Sequence, residues 1–330
     1  MGAPGSCRVD RAEGIGGAGV DIFFVLSGFV IAFTGPLASP RPTAAEFFWR
    51  RLSRVAPLFW LLSLPFLATA FQTGTFNWPQ TIATFLFWPA AGAAIVQPFL
   101  HQGWTLGFEM LFYSAVAVAL AGEKTRRNLA ILALVWAALA LASTASGWNP
   151  LRILGNPVFA EFAAGALLAA AWPRLKTADL RFGAALAACA VVAFAIEALV
   201  GVGDVSWAAT MENTNALWRV AVFGVPASML VAGAAIGERA LRGRPVAFAA
   251  WLGDASYSIY LSQALSIPGL AIAWRALLGE TNPWPEGLFL LVAGIAVGAA
   301  TYALIERPIM RDLRRLRFGL PWTAAAAESS

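Results

Sequence analysis

Glu109 and Glu161 stand inside runs that are otherwise apolar, and Asp21 does so in the stretch Gly19-Val20-Asp21-Ile22-Phe23-Phe24-Val25-Leu26-Ser27-Gly28-Phe29. A carboxylate at the centre of a membrane-spanning helix costs about 2.5 to 3.5 kcal/mol, and less near an interface, unless it is paired or wetted. The chemistry open to such a group is hydrogen bonding to sugar-like hydroxyls or proton transfer. The plainer alternative is a structural partner for a Trp, Tyr or Arg group. Glu109 and Glu161 are therefore the candidates for catalysis. Arg51 and Arg54 lie one turn apart and share a helix face. Their planar guanidinium forks suit phosphate oxygens, although arginines at a loop edge also serve as plain orientation anchors.

Further polar groups need positions. Asp21 begins the first apolar run, where it could cap a helix N-terminus or meet a ligand. Ser27-Gly28 lies near mid-run, where small residues let helices approach; no histidine lies nearby in sequence to activate Ser27 as a nucleophile. Ser256, Tyr260 and Gln263 fall at i, i+4 and i+7, a polar stripe expected to face the bundle interior or a water-filled cavity. Trp104, Tyr113 and Tyr257 complete the polar candidates. His101 is the only histidine. It precedes Trp104 in a loop and is read as a solvated polar residue rather than a base.

The elements that hold these groups are membrane helices. The 330 residues are 59% hydrophobic and 12% charged, with 14 Trp and 23 Phe, outside the range of soluble domains. The net charge of +5 does not point to nucleic acid, because the basic residues sit in short loops between apolar runs, the positive-inside pattern. Cys7 and Cys189 are far apart, so no disulfide framework is suggested, and no motif suggests a metal site. No cleavable signal peptide is visible, since the residues before Gly19 have no apolar core.

A crossing helix needs about 20 apolar residues. Such runs occur at 20–36, 53–72, 105–121, 129–145, 155–172, 182–201, 218–237, 251–277 and 286–306. A tenth stretch, Thr81 to Val96, is interrupted by Pro89 and Gly92. If it does not cross, Arg41, Arg50, Arg51, Lys124, Arg126, Arg127, Arg174, Lys176, Arg181, Arg239, Arg242, Arg244 and the basic tail all fall on one side. The expectation is an all-α polytopic transmembrane helix bundle of about nine spans plus one re-entrant or interfacial segment. Its amino terminus is outside and its carboxyl terminus cytoplasmic. Residues 1–18 read as a flexible lead-in, 19–310 as one transmembrane domain and 311–330 as a cytoplasmic basic tail.

Six motifs in order carry a resemblance. They are the Gly19–Phe29 stretch, Arg51-x-x-Arg54-x-x-Pro57, Gly103-Trp104-Thr105-Leu106-Gly107-Phe108-Glu109-Met110-Leu111-Phe112-Tyr113, Asn156-Pro157-x-x-x-Glu161-Phe162-x-x-Gly165, Leu252-Gly253-Asp254-Ala255-Ser256-Tyr257-Ser258-Ile259-Tyr260-Leu261 and Glu306-Arg307-Pro308. Over residues 19 to 310 the chain resembles the acyltransferase 3 family, in the branch that O-acetylates exopolysaccharides and O-antigens. The resemblance implies an integral membrane O-acyltransferase of the bacterial inner membrane. Acyl-CoA, most simply acetyl-CoA, is its co-substrate, with no bound cofactor; a glycan or lipid-linked saccharide is its acceptor and lipids are its surroundings. In that setting Arg51 and Arg54 would hold the donor's phosphates.

Two departures stand out. Family members usually begin with one more transmembrane helix, bearing a basic residue and a histidine implicated in catalysis, and an upstream extension encoding it is expected. Without it an inactive, truncated acyltransferase is the alternative. Gln263 also stands where many members have histidine, and glutamine cannot shuttle a proton near neutral pH. A rival from another class is a transporter or flippase with these polar groups lining its path. The paired, broken half-helices common in transporters have no counterpart here.

Overall fold

The computed structural model describes residues 6–91, 94–144, 146–201, 206–240, 244–279 and 283–316. Expectations for residues 1–5 and 317–330 fall outside the described residues. In chain order the elements are α1 (Ser6–Thr34), α2 (Ala44–Thr73), α3 (Trp78–Phe85), the paired two-residue strands β1 (Ala90–Ala91) and β2 (Ala94–Ile95), α4 (Gly103–Ala121) and α5 (Thr125–Thr144). There follow α6 (Asn149–Leu154), α7 (Phe159–Leu175), α8 (Leu180–Val200), α9 (Trp207–Met211) and α10 (Ala216–Arg219), which runs through a π turn (Val220–Gly224) into α11 (Val225–Gly237). Last come α12 (Arg244–Leu278) and α13 (Pro283–Thr301), the latter passing through a second π turn (Tyr302–Glu306) into α14 (Arg307–Leu316).

Among the described residues, nine helical stretches are long and apolar enough to cross a membrane. They coincide with the runs read from sequence, because apolar length is what a hydrocarbon core selects. The chain is thus an all-α, multi-pass integral membrane protein. Exposed apolar side chains such as Leu134, Leu141, Leu199, Ile272 and Leu288 are what lipid requires of its neighbours. The Thr81–Val96 stretch is the short α3 followed by the β1–β2 hairpin, too short to span. Helix α1 starts at Ser6, inside the segment read as a lead-in. That start places Asp21 in a helix interior, so it does not cap an N-terminus.

The chain forms two compact units. The first comprises Met1–Trp49, Phe87–Val96 and Trp104–Arg242; the second comprises Arg50–Leu86, Gln97–Gly103 and Gly243–Ser330. In the first unit α1 meets α7 backbone to backbone. A Cβ added at Gly28 would collide with the Phe162 carbonyl, and one added at Gly165 with the Val25 carbonyl, so only glycine permits this approach. Beside the contact, Phe24 and Phe162 lie 4.7 Å apart, as do Phe112 and Phe162 and also Trp136 and Phe159. Val25 joins Ala227 and Val231 of α11 in a buried cluster.

In the second unit α12 and α13 form an antiparallel pair. Gly298 leaves no room for a Cβ against Ile259, and Trp274 stacks obliquely on Phe289 at 4.9 Å. The Tyr257 hydroxyl donates to the Val55 carbonyl at 2.6 Å, tying α12 to α2.

Candidate active site

The centre of the first unit is a fully buried arginine. Arg219 Nε and Nη2 donate to Asp21 Oδ1 and Oδ2 at 3.0 and 2.7 Å, a planar fork-to-carboxylate pair, and Nη2 also donates to the Gly17 carbonyl at 3.0 Å. Arg219 is 1% and Asp21 0% exposed. The guanidinium lies 6.0 Å from the Trp104 ring centroid and 5.8 Å from that of Phe223, within cation–π range. A buried ion pair survives desolvation only with such geometry and further hydrogen bonds.

Glu161, in the first turn of α7, completes this cluster and feels the charges of both Asp21 and Arg219. Both its oxygens are buried; the group that reaches them is the Asp21 carboxyl, and two acids so placed can pair only by sharing a proton. A Cβ on Gly224 would sit 2.8 Å from Glu161 Oε1, so the π turn ending at Gly224 makes room for the acid. The start of α7 is fixed by Asn156, whose side-chain amide donates to the Thr210 carbonyl at 2.6 Å while its Oδ1 accepts from Val158 N at 3.1 Å. That accounts for the Asn156-Pro157 spacing before Glu161. Glu197 of α8 also interacts electrostatically with Asp21.

A second polar group in the same unit is built on α1 and α4. Ser27 Oγ donates to Glu109 Oε1 at 3.1 Å, and the Tyr113 hydroxyl, one turn on from Glu109, donates to the same oxygen. Glu109 is 3% exposed. One carboxylate oxygen held by two hydroxyls is a fixed acid–base group, oriented by neighbours that carry no charge of their own. Ser27 thus serves Glu109 while its neighbour Gly28 serves packing.

The second unit holds the remaining candidates. Arg54 is exposed and Arg51 half-buried on α2. On α12, Tyr257 and Ser258 are buried; Ser258 Oγ donates to Glu306 Oε2 at 2.5 Å. The Tyr260 hydroxyl reaches the Gln102 carbonyl at 3.4 Å. In the polar stripe Ser256 and Gln263 are exposed and Tyr260 is half-buried. The face of α12 that packs is Ala255, Ser258, Leu261 and Ser262, because the close approach of Gly298 to Ile259 turns that side toward α13. His101 is half-buried and shares a hydrogen bond with Gln97. Burial pushes its imidazole below the ordinary value.

Of the sequence candidates, the structure joins Asp21, Glu161 and Trp104 through Arg219, and it joins Ser27, Glu109 and Tyr113 directly. Arg219 and Glu197 were not among the sequence candidates. Glu197 carries the same signal as Glu161, an acid in an apolar run. Arg219 is an isolated arginine on the side that the charge arithmetic leaves almost without basic residues.

The fold and its buried carboxylates define a polytopic membrane protein with ionisable groups held inside its bundle. A family model described as an acyltransferase domain matches residues 5–303, and the chain belongs to that family, acyltransferase 3. It is an acyltransferase moving groups other than amino-acyl groups. Among its relatives is the exopolysaccharide production protein ExoZ of Rhizobium meliloti (strain 1021), 33% identical over 323 residues that cover 94% of this chain and 95% of the relative. No solved structure matches the chain.

Proposed function

We propose that this chain transfers an acyl group, most simply acetyl, from acyl-CoA to a hydroxyl of an exported polysaccharide or its lipid-linked precursor. The observation that carries the reading is the buried Glu109 carboxylate held by Ser27 and Tyr113 in a chain of the acyltransferase family. The relative's name, an exopolysaccharide production protein, supports the choice of acceptor.

In the reaction a sugar hydroxyl oxygen attacks the thioester carbonyl. The new C–O bond forms, the C–S bond breaks, and the hydroxyl proton ends on the departing CoA sulfur. Glu109 is the group proposed to take and return that proton, with Ser27 and Tyr113 holding its orientation. Glu161, beside the Asp21–Arg219 pair, is the second carboxylate proposed for the acceptor side, and Trp104 lies near the same guanidinium. Arg51 and Arg54 bind the donor's phosphates, the task to which exposed guanidinium forks are suited. In the topology read from charge, these arginines face the cytoplasm of a bacterial inner membrane, as does the carboxyl terminus, while the carboxylates collect in the outer half.

The test uses the full chain in membrane vesicles with labelled acetyl-CoA and polysaccharide acceptor. Base-labile label on the glycan, with CoA released in equal amount, is the expected result. Absence of transfer, or acetyl-CoA consumption independent of any saccharide, contradicts the reading.

A further inference from the structure

We propose that Phe71, Phe76 and Trp78 form a saccharide platform: their contiguous rings, rimmed by the Thr75 hydroxyl and the Gln80 amide, hold the acceptor glycan on the outer side of the membrane. The proposal rests on the acyltransferase reading given above and names where its acceptor docks.

The platform is built where α2 gives way to α3, within the second unit. Phe71 lies 17 positions beyond Arg54, about 26 Å along a helix. In the topology read from charge it therefore stands at the outer edge of a hydrocarbon core of roughly 30 Å. Gly74, at φ 71°, ends α2 in the left-handed conformation, and the chain folds back. The Thr75 and Phe76 backbone amides both donate to the Ala70 carbonyl, at 2.9 and 3.1 Å. That return lays the Phe76 ring on Phe71, with centroids 4.3 Å apart and planes 13° from parallel, and Trp78 meets Phe76 edge-on at 5.4 Å. Despite these contacts Phe71 stays 59% and Trp78 70% exposed. Asn77 then caps α3, its Oδ1 accepting from the Gln80 backbone amide at 2.8 Å.

The polar rim keeps hydrogen-bonding capacity of a definite kind. Thr73 Oγ1 donates its one hydrogen to the Thr69 carbonyl at 2.8 Å. In the 2.9 Å contact between the Thr73 and Thr75 hydroxyls, Thr75 is therefore the donor, and its oxygen retains its lone pairs. Asn77 Nδ2 donates to the Thr75 carbonyl and to Gln80 Oε1, both at 3.3 Å, which leaves both hydrogens of Gln80 Nε2 unspent. Among the described residues nothing takes up either capacity. An acceptor and a two-hydrogen donor beside exposed ring faces match a sugar. Its hydroxyls donate and accept, and its C–H face carries the partial positive charge that an aromatic face attracts.

The plain alternative is an aromatic belt gripping lipid headgroups. Such anchors work with Lys and Arg beside them, whereas no Asp, Glu, Lys or Arg occurs from Val55 to Phe108. A surface without charge suits a neutral polyol better than a layer of phosphates. The loop's own hydrogen bonds hold it ready, so little ordering is lost on binding.

The experiment uses the full chain in lipid nanodiscs and, as probe, oligosaccharides cut from the cell's exopolysaccharide after base deacylation. Binding is read by calorimetry without donor, and donor and acceptor KM are read separately, for Trp78→Ala, Trp78→Phe and Thr75→Val. Trp78→Ala is expected to weaken oligosaccharide binding and raise acceptor KM about tenfold, with donor KM, kcat and membrane level retained. Trp78→Phe keeps a ring face and recovers most of the loss. Thr75→Val removes the hydroxyl at nearly constant shape and weakens binding about threefold. Unchanged acceptor affinity in Trp78→Ala, or a lower membrane level as its only effect, makes the rings a lipid anchor and overturns the proposal. Should Trp78→Ala fail to insert, Thr75→Val decides: weakened binding supports the platform and unchanged binding overturns it. If the wild type transfers nothing to the glycan, the acyltransferase reading fails and the platform with it, an outcome distinct from transfer that ignores Trp78.

Discussion

The two units handle charge in opposite ways. In the first, Asp21, Glu161 and Arg219 are sealed from solvent, and Arg219 pairs with Asp21. In the second, Arg54 lies open, while Glu306 is buried and held by Ser258. Charges that neutralise internally are held for structure or for chemistry on a group brought to them. A charge left open is available to a soluble polyanion. The difference teaches that counting charged residues in a membrane chain says little until each is matched with what faces it.

The largest expected effect is on the sealed pair. Asp21→Asn or Arg219→Met alone strands a buried charge, and each is expected to cost about 3 to 5 kcal/mol, read as the thermal unfolding midpoint in detergent. Asp21→Leu combined with Glu161→Leu and Arg219→Met is expected to recover most of that loss, because apolar replacements of a whole buried charge cluster are near neutral. Single variants that melt with wild type would erase the contrast between the units.

Replacing Arg51 and Arg54 together with Gln is the converse experiment. Stability is expected to stay within about 0.5 kcal/mol, while each lost phosphate contact weakens donor binding by about 1.5 to 3 kcal/mol. Lysine is expected to rescue only in part, lacking the planar fork. Unchanged donor affinity with inverted insertion, measured by reporter fusions, would make these residues orientation anchors.

Packing in the first unit sharpens the comparison further. Gly28→Ala places a methyl against the Phe162 carbonyl and is expected to cost about 1 to 3 kcal/mol, read by the same unfolding assay. Wild-type stability would mean that α1 and α7 can part without loss.

His101 gives the smallest effect. Burial holds its imidazole below the ordinary value of 6.5, so as pH falls through 6.5 the unfolded chain binds the proton first. Stability then declines until the folded imidazole also titrates. His101→Gln is expected to flatten this segment of the pH–stability curve and to leave acyl transfer intact. Loss of transfer would make His101 a participant in the chemistry.

The spans were legible because hydrocarbon thickness sets a length that sequence displays directly, and the interrupted Thr81–Val96 stretch was legible as non-crossing from the side on which the basic loops fall. The site was legible only in part. Glu109 and Glu161 announce themselves as acids in apolar runs, but the partner of Asp21 lies 198 positions away, a separation no local pattern encodes. Arg219 sits at a span edge, where an arginine reads as a loop residue. The π turns that place Gly224 beside Glu161 and Glu306 beside Ser258 leave the apolar pattern of their helices unbroken. The stripe of Ser256, Tyr260 and Gln263 shows a further limit: periodicity says which residues share a face and not what that face meets.

The central claim is that Glu109 handles the proton of acyl transfer. The direct measurement is glycan acetylation by Glu109→Gln beside its level in the membrane. The amide keeps the size of the side chain and can still accept from Ser27 and Tyr113, but it loses basicity. Turnover is expected to fall by about 10²- to 10⁴-fold, the share of general acid–base catalysis, with membrane level unchanged. Wild-type acetylation by this variant, or its disappearance from the membrane, would contradict the account and return Glu109 to a structural role.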